Sequence, residues 1–303
     1  MNVFITGGMG FVGKYVTEAF LKQGHAVTAT GSRKASGGPG HANFSYISAD
    51  TTREGDWQQA AAAADVLVNL AGRTIFRRWS EPYKKQIYDS RIPTTRHLVQ
   101  SLDANRPAVL ISISGVGYYG NRGDDVLMET EPSGTDFVAS LSRDWETEAL
   151  AAEKLGTRSV IARFGIVLGK GGGALSKMLP AFKFFLGGPI GNGRHWVSWI
   201  HIEDVVGALM FIIKNENCRG PFNFSAPAPI RYREFSAALG RALGRPSLIK
   251  TPAFVVRLAM GELGTVLLGS QRAVPHRLLE AGYPFQFSDI DSALIDLTRP
   301  ITG

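Results

Sequence analysis

The sequence predicts an α/β fold, a parallel sheet doubly wound by helices on both faces, with a smaller lobe toward the C-terminus. Three observations predict it. Short β-rich runs alternate with longer helical patterns through the first half of the chain, the signature of strands joined by crossover helices. A glycine-spaced turn follows the first apolar run directly, at residues 7–13. Beyond about residue 165 the alternation becomes irregular, and glycines and prolines crowd residues 169–173 and 187–193.

The candidate strands are residues 3–6, 26–30, 44–48, 65–70, 108–114 and 159–164. Between the first two, Val12, Val16, Ala19 and Phe20 fall on one helical face and Gly24 ends the run, completing one strand–helix–strand unit. Longer helical stretches at 82–102 and 136–155 are each able to cross the sheet. A further helix over 201–214 and a strand at 222–224 would rejoin it. The expected division is therefore a nucleotide-binding domain over 1–165, its sheet completed by about 200–225. A smaller substrate-side lobe takes 166–199 and 226–303.

With 303 residues, 44% of them apolar and 19% charged, the chain can bury a substantial core. The net charge of +7 comes from dispersed lysines and arginines in runs of three or fewer, which argues against a nucleic-acid footprint. Cys218 is the only cysteine, so neither an intrachain disulfide nor a cysteine-based metal site is expected, and a reducing, cytoplasmic setting fits. The chain enters an apolar strand at once, without the pattern of a signal peptide. Its most apolar later stretch, 205–213, is too short to span a bilayer. In 253–268, Arg257 and Glu262 interrupt an apolar helix, and burial rather than membrane contact is the expectation there. Oligomeric state is left open.

The motif with the clearest chemistry is Gly7-Gly8-Met9-Gly10-Phe11-Val12-Gly13, between the first strand and the first helix. Gly7 permits the tight turn, Gly10 lets backbone approach a pyrophosphate, and Gly13 allows close helix–strand packing. The amides opening the helix at Phe11 and Val12 would then face the phosphates of a dinucleotide, giving a Rossmann-type site. Where an NAD-preferring protein carries a carboxylate at the end of the second strand, this chain reads Gly31-Ser32-Arg33-Lys34. Two cations and a hydroxyl there suit a 2′-phosphate, so the expected cofactor is NADP(H). Asp50 either accepts from the adenine amino group or opens a turn. Leu70-Ala71-Gly72 ends the fourth strand with small residues beside the nicotinamide-side ribose.

With these residues in view, the chain resembles the extended short-chain dehydrogenase/reductases, and within them the atypical epimerase/dehydratase-like group of SDR39U type. The matching segments include Arg78-Trp79, Ser90-Arg91, Ser114 through Gly120, Arg163 through Gly169, Gly187 through Gly193, Trp199 through Ile202, Gly220 through Asn223 and Gln271 through Pro275. The resemblance implies an NADP-type cofactor held by Ser32, Arg33, Leu70, Ala71, Arg91 and the backbone near Val167. It also implies a C-terminal lobe from about Arg245 onward whose role is unassigned.

Members of that superfamily ordinarily use a tyrosine acid/base with a lysine four residues later. No tyrosine here has that partner, and Phe137 through Ser142 supply neither phenol nor amine where the pair belongs. Ser114 matches the catalytic serine position or is an ordinary strand-end turn residue, and Tyr118 or Tyr119 in the following loop either replaces the lost acid or simply packs. Arg78, Lys85, Arg163, Arg194, His195 and His201 are further polar candidates, with His201 read as structural. Residues 187–193, ending in Arg194-His195-Trp196, resemble a pocket-lining segment for an anionic substrate, and Trp196 and Trp199 would be poorly placed in solvent. Two functions compete: an NADP-dependent oxidoreductase or epimerase acting on a small polar, sugar-like substrate, and a non-catalytic NADP-binding module whose occupancy shapes a partner surface.

Overall fold

A computed structural model describes residues 1–34, 38–103 and 108–299. The chain opens with β1 (Asn2–Thr6), α1 (Phe11–Lys22), β2 (Ala26–Gly31) and β3 (Phe44–Ser48). It continues through α2 (Trp57–Ala62), β4 (Val66–Asn69), α3 (Glu81–Asp89), α4 (Ile92–Gln100) and β5 (Val109–Gly115). The short β6 (Val126–Leu127), then α5 (Phe137–Leu150), β7 (Arg158–Phe164), β8 (Ile166–Leu168) and α6 (Gly173–Lys183) follow. Next come β9 (Trp196–Val197), β10 (Trp199–His201), α7 (Ile202–Lys214), β11 (Gly220–Phe224), β12 (Ile230–Arg231) and α8 (Tyr232–Leu243). The chain ends with α9 (Ala253–Met260), α10 (Glu262–Leu267), β13 (Arg272–Ala273), α11 (His276–Glu280) and α12 (Ile290–Thr298).

Seven parallel strands form the central sheet in the order β11-β7-β5-β4-β1-β2-β3. Val66-Leu67-Val68 shows why β4 is central: every side chain is buried, as a strand covered on both faces requires. On one face, Val3, Ile5, Val109 and Ile111 pack with Val16 and Phe20 of α1 and Val205 and Leu209 of α7. On the other, Phe4, Leu67 and Leu110 meet Trp57 of α2, Leu98 of α4 and Ala149 of α5. The strand at Gly220–Phe224 pairs with β7 and so rejoins the sheet as its edge.

A second core gathers around Leu175 and Phe182 of α6, Trp199 of β10, Phe235 and Leu239 of α8, and Leu294 and Leu297 of α12. Trp199 is fully buried there, a core residue rather than a pocket wall.

Two expectations need correction. The helix expected over 82–102 is two helices, broken at Ser90-Arg91, with Pro82 and Pro93 in their respective first turns where a missing N–H costs nothing. The helix expected to be buried over 253–268 is broken at Gly261, whose φ is +62°. Its second part, α10, buries Leu263 against Trp79, Ile87 and Trp145. Its first part, α9, buries only Val256 and leaves Phe254 69% and Leu258 72% exposed. The apolar pattern misled because Phe254 and Leu258 share a face, four residues apart, that no other element covers.

Candidate functional site

Strands succeed one another outward from β1 in both directions, toward β3 on one side and toward β11 on the other. A crevice therefore opens at the carboxyl ends of β1 and β4, where ligands of open α/β sheets bind. The glycine loop sits in it. Gly7 has φ +66° and its amide donates to the Thr30 carbonyl at 2.8 Å, and a Cβ there would stand 2.9 Å from the Leu70 carbonyl oxygen. Gly13 is needed for space rather than for its dihedrals: a Cβ would fall 2.3 Å from the Gly7 oxygen. Gly10 carries no side-chain cap, and the first helical bond runs from Lys14 N to Gly10 O at 3.0 Å. The Phe11, Val12 and Gly13 amides thus have no intrahelical acceptor and point where an anion binds. The Phe11 ring lies across Gly169, Gly172 and Gly173, with a Cβ on Gly172 only 2.3 Å from it. Gly173 in turn abuts the Val167 carbonyl, so the backbone of β8 closes this side of the loop.

At the end of β2, the Tyr46 hydroxyl lies 2.9 Å from the Gly31 carbonyl and 3.0 Å from that of Arg33, fixing the backbone that presents Ser32, Arg33 and Lys34 to solvent. Neither cation has a carboxylate within ion-pair distance among the described residues. Asp50 accepts from the Thr52 amide at 3.1 Å and its hydroxyl at 2.7 Å, so its carboxylate shapes the turn after β3.

Beneath Leu70 and Ala71 lies a buried polar network that the sequence reading missed. Asn69 accepts from the Thr6 hydroxyl at 2.6 Å and donates to Thr95 Oγ1 at 2.8 Å and Ser112 Oγ at 3.1 Å. Thr95 also accepts from Trp145 Nε1 at 2.7 Å. The signal was present: an asparagine ending an otherwise apolar buried strand must have partners.

Arg91 caps this corner. Its guanidinium donates to the carbonyls of Ile87 and Arg73, each at 3.0 Å, and stands 5.1 Å from the centre of the Trp145 ring. A Cβ on Gly72 would come 2.9 Å from it. Burial pushes its pKa down to about 10, and among the described residues no carboxylate pairs with it. A half-buried cation bonded only to neutral acceptors suits a site that receives an anionic or polyhydroxyl ligand.

The end of β5 carries Ser114, and Tyr118 and Tyr119 come directly after it. Ser114, near the end of β5, is 5% exposed and its Oγ has no hydrogen-bond partner. Tyr118 packs its ring 3.6 Å from the Arg163 guanidinium. Tyr119 is fully buried; its hydroxyl donates to Asn223 Oδ1 at 2.8 Å and accepts from Arg163 at 2.9 Å. Burial pushes that phenol up to about 12, against the pull of Arg163, and its hydroxyl is engaged on both sides within the protein. Arg163 is equally committed, in a bidentate pair with Glu146 at 2.9 and 2.7 Å. Where the acid/base pair would lie on α5, Phe137 stacks edge-on against Trp79 at 5.4 Å and Leu141 is buried.

The remaining candidates scatter. Lys85 pairs with Asp89 on the surface of α3. His201 caps α7 through Nδ1, accepting from Glu203 N at 3.1 Å, and stacks on Phe287. Arg194 is exposed, whereas Trp196 lies between Arg231 and Arg272, 4.1 and 4.4 Å from its ring centre. His195 is buried against Tyr232, and burial holds its pKa down to about 4. Among the described residues no group of three or more His, Cys, Asp or Glu could hold a metal ion, and no helix is long and apolar enough to cross a membrane.

Residues 3–224 match the NAD dependent epimerase/dehydratase family. The chain belongs to that family. Residues 251–297 match a domain of unknown function, DUF1731. Among curated epimerase family proteins, mouse SDR39U1 is 39% identical over 98% of this chain and 99% of its own. The chloroplastic SDR39U1 homologue of Arabidopsis thaliana is 37% identical over 97% of this chain and 86% of its own. The crystal structure of human SDR39U1 (isoform 2) with NADPH superimposes with a TM-score of 0.85, at 34% identity, covering 98% of this chain and 99% of that one. The resemblance read from the glycine loop and the segments that follow it is thus established, as is the Rossmann-like sheet.

Proposed function

We propose that this epimerase-family chain binds NADP(H) in the crevice between β1 and β4 and works as an oxidoreductase or epimerase on a small polar, sugar-like substrate. The observation that carries the reading is Arg91: a half-buried guanidinium without a carboxylate partner among the described residues, against Gly72, beside a glycine loop whose helix-opening amides have no internal acceptor. The relative solved with NADPH supports the choice of cofactor. The Gly7–Gly13 loop and the start of α1 would neutralise the pyrophosphate, and Arg33 and Lys34 the 2′-phosphate. Asp50 would stand at the adenine end, and Leu70, Ala71, Gly72 and the Val167 backbone would flank the nicotinamide half. When bound, the nicotinamide supplies a hydride donor or acceptor. Ser114, with a buried and unbonded hydroxyl, would orient the substrate oxygen, and Tyr118 is the phenol left in the loop to pass a proton. The lone, buried Cys218 supports a reducing cytoplasmic setting.

A second reading, a cofactor-binding module without chemistry, is favoured by the apolar packing of Phe137 and Leu141 where a proton-transfer pair would be. Incubation with stereospecifically deuterated NADPH and a carbonyl library separates the two. Loss of label to one class of carbonyl supports the enzyme. Tight NADPH binding with full retention of label across the library supports the module, and absence of NADPH binding defeats both.

A further inference from the structure

The second lobe carries an apolar face that the cofactor crevice does not use. Directly after α6, Phe184, Phe185 and Leu186 are 75%, 55% and 61% exposed. Phe185 has φ +62°, the one non-glycine in the left-handed region among the described residues. A bulky side chain there is strained, so the surrounding structure must hold this turn in place. The neighbouring segment presents Leu248 at 81% and Ile249 at 49% exposure. The two are knitted together: Ile249 N donates to Gly187 O at 3.1 Å, Thr251 N to Pro189 O at 3.0 Å and Gly191 N to Thr251 O at 2.8 Å. Arg245 lies 4.6 Å from the centre of the Phe185 ring. Pro252 then leads into α9, whose Phe254 and Leu258 are the exposed pair described above.

The stretches of chain that build this face carry charge of one sign, and the carboxylate that comes near Leu248 and Arg245, Asp291 of α12, is paired with Arg241. No Asp or Glu occurs between Glu153 and Glu203, nor between Glu234 and Glu262, the stretches that build it. Lys177, Lys183, Arg245, Lys250 and Arg257 are all exposed, and none is in an ion pair among the described residues. Protein interfaces favour aromatic residues, Met and Arg, so the phenylalanines and arginines here suit either kind of partner, but such interfaces are poor in lysine. Here the tips are Phe, Leu and Ile with three lysines interspersed, the composition of a segment whose apolar side chains enter the acyl boundary while its cations meet headgroups.

We propose that this face docks the protein reversibly on an anionic lipid surface. The inference is independent of any cofactor or substrate. It departs from the expectation that burial accounts for the apolar residues of α9.

Sedimentation of the full chain with sucrose-loaded vesicles tests it, comparing phosphatidylcholine alone with phosphatidylcholine containing about a third phosphatidylglycerol. The expected result is partition onto the anionic vesicles, half-complete at about 0.1–1 mM accessible lipid, with none onto the neutral ones. Binding should fall when 1 M salt shortens the Debye length to about 3 Å. The Phe184→Asp/Leu258→Asp pair and, separately, the Lys183→Glu/Lys250→Glu pair should each weaken partition roughly tenfold or more. All four positions are exposed, so unchanged circular dichroism melting serves as the folding control. A wild-type chain that stays in the supernatant with anionic vesicles overturns the proposal, as does binding that both variants retain. A concentration-dependent dimer abolished by Phe184→Asp, without lipid partition, overturns it too and assigns the face to a second copy of the chain.

Discussion

Single atoms decide the chemistry of the crevice. A methyl group at position 13 would collide with the Gly7 carbonyl at 2.3 Å, so Gly13→Ala must push the turn away from the helix. Loss of NADPH binding with a fall in melting temperature is the expected outcome; a variant that binds as well as wild type would show that the loop is not the phosphate cradle. Arg33 is a subtler case, because its side chain is exposed and has no carboxylate partner among the described residues. A charge-assisted bond to phosphate is worth about 1.5–3 kcal/mol, so Arg33→Asp should weaken NADPH roughly ten- to a hundredfold and NADH far less, read by fluorescence titration. Equal losses for the two coenzymes would refute a 2′-phosphate role. At this scale Gly7 and Gly13 were legible from sequence because each has a local reason for its type. That Asn69 needs partners was legible too, but which partners Asn69 and Tyr46 take was not, since Thr95 and the Arg33 carbonyl among them meet these residues only in the folded chain.

Elements are held to one another by a second buried network, centred on Arg163 of β7. Its guanidinium reaches Glu146 on α5, the Glu129 carbonyl and Tyr119, while Tyr119 passes the chain of bonds to Asn223 on β11. Burial opposes the charge on Arg163, and the hydrogen bonds and charge of Glu146 outweigh it and raise the pKa above the usual range for arginine. Glu146→Gln removes that compensation while keeping shape. Breaking a buried pair from one side costs about 3–5 kcal/mol, so the urea midpoint should drop sharply. A midpoint within experimental error of wild type would mean that water solvates Arg163. The strands were readable from sequence, since β1, β2 and β4 are short apolar runs with turn signals at their ends. The break between α3 and α4 was also written there, in Pro93, but a proline in a first turn and one inside a helix look alike until the register of the helix is known. The exposed face of α9 was illegible for the opposite reason: periodicity reports which side chains are apolar, not whether a neighbour arrives to cover them.

For the molecule as a whole, stability depends on pH through histidines that folding buries, His195 foremost. His195 is 8% exposed, its Nε2 has no partner, and its folded pKa of about 4 lies below the usual 6.5 because burial disfavours the charged ring. The unfolded chain therefore binds the proton more readily than the folded one. The associated stability is fully present above pH 6.5 and is lost as pH falls toward 4, by about 3 kcal/mol for a shift of this size. His201 is lowered by burial as well and acts in the same direction. Urea midpoints measured between pH 7 and 4.5 should decline, and His195→Gln should flatten part of that decline; parallel curves for the two proteins would remove His195 as a cause. The overall architecture was legible from the alternation of strands and helices. The way the C-terminal segment returns to the first half was not, because β13 meets β6 across more than a hundred residues of sequence. That return has a consequence for how the chain is made. Asn223 donates its side-chain amide to the carbonyls of Leu127 and Val274 together, and Arg272 and Ala273 pair with Val126 and Leu127. On the ribosome, the sheet can be assembled as soon as Phe224 has emerged, yet this clasp stays open until synthesis has passed Val274. A nascent chain stalled between those points would carry a finished sheet with an unlatched side, a stage at which chaperones or proteases would find it before release.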